Sequence, residues 1–181
     1  MEKAMIEAKY QAAVQQAELD HHTPTAGAMV GHIMANLTIQ QRKLQQMKWY
    51  ATGFESLAFK TLLADLLIEN SVLLDQTAQR LLDEDQLIPT TAAEYQEYGM
   101  LTEDARIQYW SVPMMTAELV RDYDTADLFV TRAIKLAQKE QRYTLANELI
   151  AMLGTNQHRI RLLQSLLNQA PREGLDEQDT D

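Results

Sequence analysis

The four prolines of this chain, Pro24, Pro89, Pro113 and Pro171, fall between stretches of periodic apolar residues and interrupt none of them. Proline inside a helix removes a backbone hydrogen bond and clashes with the preceding turn, so it marks where helices stop and start. Between these marks the apolar residues recur in steps of three and four, the spacing of a helix rather than the alternation of a strand. The chain reads as all-α.

Residues 2–19 carry Met5, Ile6, Ala8, Ala12, Ala13 and Val14 and form a weakly amphipathic helix, broken at Asp20-His21-His22-Thr23-Pro24. Thr23 is expected to cap the next helix, with Pro24 at its first position. That helix presents Val30, Ile33, Leu37, Leu44, Met47 and Ala51, and Gly53 is expected to end it. A third helix, about 40 Å long at 1.5 Å per residue, spans 56–83. Its expected buried stripe is Phe59, Leu62, Leu63, Leu66, Leu67, Leu73, Leu74, Ala78, Leu81 and Leu82. Thr91-Ala-Ala-Glu94 reads as a capping box opening a short helix that Gly99 stops. Pro113 opens a fourth long helix, to about Lys139, and residues 144–168 make a fifth. Gly154 inside the last is expected to mark a close helix contact, since Gly there costs about 1 kcal/mol against Ala. Long helices, short hairpin loops and one long connection describe a four-helix bundle of up-down-down-up type. A short helix sits in the long middle connection and an additional helix precedes the bundle. The expected divisions are an N-terminal helical extension at 1–22, the bundle at 23–168 and an acidic, disordered tail at 169–181.

Composition narrows the function. Lys and Arg number 16 against 26 Asp and Glu, a formal charge of −10, which excludes a wholly basic DNA-coating protein. The absence of cysteine removes disulfides, thiolate zinc sites, iron–sulfur clusters and cysteine nucleophiles. No run approaches the roughly 18 apolar residues of a membrane span, and the N-terminus lacks a signal-peptide core. The expectation is a soluble, cytoplasmic protein without a membrane partner. There is no glycine-rich phosphate loop, no Ser-His-Asp spacing and no Glu-x-x-His pair of a di-iron bundle. Scattered histidines such as His32 and His158 read as structural.

The informative stretch runs from Lys48-Trp49 through Gly53, Lys60, Ala64 and Asp65 to Asp75-x-x-Ala78-Gln79-Arg80. It resembles the Dps family, the miniferritins that protect DNA during starvation. In that family a His-Trp pair ends the first bundle helix, a Gly follows in the turn, and an Asp-x-x-Ala-Glu-Arg segment lies late in the second. The resemblance covers roughly residues 30–168 and implies a ferritin-like four-helix bundle. It also implies a hollow homo-oligomer, a dodecamer, in the stress response, associated with the nucleoid and with iron storage. Iron oxidation in the family takes place between two subunits. The ligand positions fall here on Lys48, Lys60, Ala64, Asp75 and Gln79, so one carboxylate survives, Asp75. Asp65 is one residue late and points about 100° away on a helix. An ammonium offers three donors and no acceptor, so it cannot ligate metal. The lysines instead occupy the role of the cation and pair with Asp75 across an interface; the alternative, that both point to solvent, stays open.

Asp122-Tyr-Asp-Thr-Ala-Asp127 looks like the acidic start of the family's last helix, but some 40 residues follow it before the tail, too many for one helix. It belongs within the fourth long helix, as a solvated acidic face. Thr144-Leu-Ala-Asn147 then takes the position of the family's pore, with Asn147 where an acid is usual and Glu148 beside it.

DNA contacts in the family often come from a lysine-rich N-terminal tail, and here Lys3 and Lys9 are the candidates, set against Glu2, Glu7, Glu18 and Asp20. Repetition over a shell multiplies a weak contact. Asp20, His21 and His22, together with Asp75, are candidate ligands for iron or another divalent cation. Cations bridging an acidic protein to phosphate suit the local charge better than lysine alone. Three functions follow: a DNA-shielding shell whose inter-subunit ferroxidase site is lost, a ferroxidase acting at a relocated site, and a shell with neither activity. Enzymatic status is left open between them.

Overall fold

The computed structural model describes residues 2–22 and 24–175; the side chains of 17, 18 and 20–22 also lie outside the described set. In chain order it contains α1 (Glu2–His22), α2 (Ala26–Tyr50), α3 (Ser56–Asp83), α4 (Ala92–Tyr98), a 3-10 turn (Ala105–Tyr109), α5 (Val112–Lys139) and α6 (Tyr143–Leu166). Helices α2, α3, α5 and α6 form the bundle. α2 is its hub: it packs on α3, α5, α4 and the 3-10 turn, while α5 and α6 form the most intimate pair. Among the described residues no helix is long and apolar enough to cross a membrane.

The helix boundaries follow their caps. Thr25, not Thr23, caps α2: its side chain accepts from Ala28 N at 3.1 Å, which leaves Pro24 outside the helix. Thr23 lies outside the described residues. The next free amide, Ala26 N, donates 2.8 Å to Glu140 Oε1 at the far end of α5. α2 stops at Tyr50, and Gly53 sits in the turn beyond it, at φ +95°, where glycine carries no Cβ penalty. α3 has the expected bounds. The Thr91–Glu94 capping box of α4 is complete, and Ser111 caps α5, which starts at Val112, one residue ahead of the expected Pro113. Asp85, Gln141 and Asn168 terminate α3, α5 and α6 in the left-handed conformation. Each is followed by a backbone bond back to the last turn, as in Gln86 N to Leu81 O at 2.9 Å and Arg142 N to Ala137 O at 2.8 Å.

The core has two apolar halves. One gathers Val30, Ile33, Leu81, Val130, Ala133, Leu145 and Leu149. The other gathers Leu44, Met47, Phe59, Leu63, Leu66, Met115, Leu119, Ile160 and Leu163. Between them each bundle helix contributes a buried polar residue: Gln40, Asn70, Asp127 and Asn156. This waist replaces the continuous apolar stripe expected of α3, whose Leu82 is exposed. Gly154 also departs from expectation: a Cβ there meets nothing within 4 Å, so it marks no helix contact.

The end of the chain is held as far as Leu175. Buried Gln164 accepts from Arg172 N at 2.6 Å and donates to Glu173 O at 3.1 Å, and Leu175 packs on the second core half. A disordered tail from Gln169 is therefore not what these residues form; one buried amide satisfies the returning backbone. Residues 176–181 lie outside the described set.

Gly99 gives a direct test of the packing between the long connection and α2. Its φ of −74° is open to any residue, but a Cβ would press on the Ile39 side chain and sit 2.6 Å from Tyr95 O. Gly99→Ala is expected to cost about 1–3 kcal/mol by overpacking, read as a lower midpoint in urea unfolding; an unchanged midpoint would contradict this contact.

Candidate functional site

The motif positions lie on the end of α2 and along α3. Lys48 is in the last turn of α2, where a cation complements the helix dipole. Ser56 Oγ donates 2.7 Å to Gly53 O and closes the turn that leads into α3. On α3, at about 100° per residue, Lys60, Ala64, Asp75 and Gln79 share one sector of roughly 100°. Leu57, Ile68, Val72 and Leu82, all exposed large side chains, lie in or beside that sector. None of the side chains of Lys48, Lys60, Asp75 and Gln79 has a hydrogen bond or ion pair within the described chain. Fifteen residues separate Lys60 from Asp75, about 22 Å along the helix, so one chain does not bring them together. With two ammonium groups, a methyl and an amide at four of five positions, the set does not fit iron.

Nor do the described residues assemble another metal centre. Among the described residues no three His, Cys, Asp or Glu side chains cluster in a way that could hold an ion. The side chains of Asp20, His21 and His22 lie outside the described set, so that candidate is not placed. Lys3 and Lys9 are exposed on α1, which lies lightly against α2. At six residues apart they point about 120° from one another, so they form no single basic face.

The residues that sequence reading missed are inside. Asp122 and Asp127 are not a solvated acidic face: both are buried, at 5 % and 8 % exposure. Lys43 is buried completely, and its Nζ donates 2.8 Å to Glu118 Oε1 and 2.7 Å to Asp122 Oδ1. Burial alone would raise the Glu118 carboxyl, but hydrogen bonds from Lys43 and Arg121 outweigh it and hold it below the usual range. At Asp122 burial wins over Lys43, and the carboxyl is pushed up to about 6. Asp127 accepts 2.8 Å from Asn156 Nδ2, too little against burial, and is pushed up to about 7. Several atoms here have no partner: Asp122 Oδ2, Asp127 Oδ2, Gln40 Nε2 and Asn36 Nδ2. The signal was present in the spacing. Asn36, Gln40, Lys43 and Met47 continue one stripe of α2 in steps of four, three and four.

The fold and the α3 face define a ferritin-like protein, and the family model of the ferritin-like domain matches residues 31–173. Two solved structures lie near it along almost their whole length. DpsB of Lactococcus lactis is 34% identical at a TM-score of 0.90, covering 94% of this chain and 99% of that one. DpsA of the same organism is 30% identical at a TM-score of 0.88, covering 93% and 99%. The chain belongs to the Dps family. Dps of Listeria innocua, in a structure soaked with zinc, shares the fold at a TM-score of 0.77 and 24% identity, over 81% of this chain and 98% of that one. No curated protein sequence matches the chain.

Buried Asp127 sets a pH dependence. In the fold it holds its proton to about pH 7, and in an unfolded chain only to about pH 4. Stability contributed by the protonated form is therefore lost as pH rises from about 4 through 7. Asp127→Asn keeps an acceptor for Asn156 and removes the charge. It is expected to stabilise the protein by on the order of 2–4 kcal/mol at pH 8 and to change it little at pH 4. Thermal melts at the two pH values check this; equal effects at both would contradict it.

Proposed function

We propose that the chain is a Dps-type shell protein of the stress response. It is a homo-oligomer of twelve copies that binds and shields DNA, takes up iron or another divalent cation as cargo, and has lost the inter-subunit ferroxidase site. The observation that carries this reading is the exposed sector of α3, where ligand positions hold Lys60, Ala64 and Gln79 beside unpartnered apolar side chains. Such a face suits a second copy. Two α3 helices packed antiparallel about a two-fold axis beside Leu67 and Ile68 bring Lys60 of one copy opposite Asp75 of the other. The ammonium then stands where a metal ion would, and the interface closes without iron. α1 extends the reading to DNA: it lies lightly on the bundle, is repeated in every copy, and carries Lys3 and Lys9. Because α1 is acidic overall, divalent cations held near Asp20, His21 and His22 bridge it to phosphate, in the cytoplasm at the nucleoid.

Three measurements test this. Light scattering is expected to give an assembly of about twelve copies; a monomer or plain dimer would sink the shell. Initial rates of Fe²⁺ oxidation by peroxide or oxygen are expected to match buffer, and a saturable rate abolished by Asp75→Ala would show a working ferroxidase instead. A gel shift is expected to lose DNA binding in EDTA and regain it with added divalent cation. If binding ignores EDTA but falls with salt and with Lys3→Glu and Lys9→Glu together, lysine alone carries the contact. If no shift occurs under any of these conditions, the protein is a shell without DNA.

A further inference from the structure

The polar waist of the bundle is not sealed. Between α3 and α6 lies a cleft of about 380 Å³ that opens to solvent and reaches down to Gln40, Asn70, Tyr123 and Asn156. Ordinary small-molecule sites span ~300–1,000 Å³. The two helices barely touch along this seam. It is bridged by ion pairs, Glu69 with Arg159 at the cleft itself and Arg80 with Glu148 beyond it, the latter at 2.8 Å. The upper walls are apolar, made by Leu66, Ile68, Val72 and Leu73. At the floor, Gln40 is 3% exposed and its Nε2 has no partner. Gln40 and Asn156 also line a small inner void beside Asn36, whose Nδ2 is unpartnered too. Arg159 Nε, at the rim, is buried without a partner.

Native proteins pair nearly all buried polar atoms, so this group of spare donors calls for an acceptor. We propose that the α3–α6 cleft binds an uncharged, ring-sized molecule that inserts an apolar body between Leu66, Val72 and Leu73 and places a carbonyl oxygen against the amide of Gln40. The charge pattern selects a neutral ligand. Arg159 is already neutralised by Glu69, so an added carboxylate meets the Glu69 charge at the rim with no free cation to pair with. A purely apolar ligand would fill the walls and leave the floor donors unpaired.

The probe is 4-bromoacetophenone, with 4-bromobenzoate and 4-bromoethylbenzene as the anionic and apolar controls, titrated calorimetrically into the assembled protein. The ketone is expected to bind one molecule per chain, at least tenfold tighter than either control. A soaked crystal should show bromine between α3 and α6 and the carbonyl oxygen within hydrogen-bond distance of Gln40 Nε2. Gln40→Leu is expected to erase the preference for the ketone over ethylbenzene. Thr155→Trp, a change at the exposed rim, is expected to block all three compounds while leaving the fold intact by circular dichroism. The proposal is overturned if the three bind equally, if Thr155→Trp leaves binding unchanged, or if the soaked cleft holds only ordered water on Gln40 or a side chain of a neighbouring subunit.

Discussion

A lysine with no exposed surface governs how α2 sits on α5. Taking an ammonium out of water is costly unless carboxylates meet it, and Lys43 meets Glu118 and Asp122 from two successive turns of α5. A shift of one helical turn, about 5.4 Å, would keep only one of these carboxylates against the ammonium and strand the other. Apolar side chains tolerate such sliding far better, because burial has no direction. The ion pairs therefore fix the register, and α2 passes it on to α3, α4 and the 3-10 turn, all of which pack against it. The same choice leaves Asp122 with an unpaired oxygen and a carboxyl that burial pushes up to about 6, so specificity is obtained at some expense in stability.

Most of the fold was legible because long helices write their period into the sequence. α3 has the expected bounds, and the capping box of α4 forms as its four residues announce. The errors cluster where a single residue was given a rule of thumb. Thr23 and Pro24 look like a cap and first turn, yet Thr25 takes the cap because its hydroxyl reaches Ala28 N. Glycine follows α2 and caps α4 as expected, whereas α3, α5 and α6, for which the sequence offers no terminal glycine, end on Asp85, Gln141 and Asn168 in the left-handed conformation. Gly154 faces open space. The waist was missed for a different reason. A polar residue on an apolar stripe reads as a lapse in the pattern, and only the partners across the bundle reveal that Gln40, Asn70, Asp127 and Asn156 form one layer.

The site was legible as a motif and illegible as a geometry. Lys60 and Asp75 sit on one sector of α3, but no spacing rule indicates that this sector is empty of neighbours within the chain. The exposure of Leu57, Ile68 and Val72 supplies that fact. Their arrangement also explains why a single chain leaves the motif incomplete: helix rise keeps the two ends about 22 Å apart.

α3 thus carries two adjoining faces with opposite requirements. One turns inward, where Leu66, Asn70 and Leu73 border the cleft toward α6; the other turns outward with Lys60, Asp75 and Gln79. Ile68 and Val72 stand on the ridge between them. A charge on the outward face keeps its water until a second copy removes it, whereas a donor on the floor of the cleft has already lost its water on folding. The outward face can therefore change its charged residues at little cost to the lone chain. The waist cannot, because every unpaired atom there weighs on stability from the moment the bundle closes.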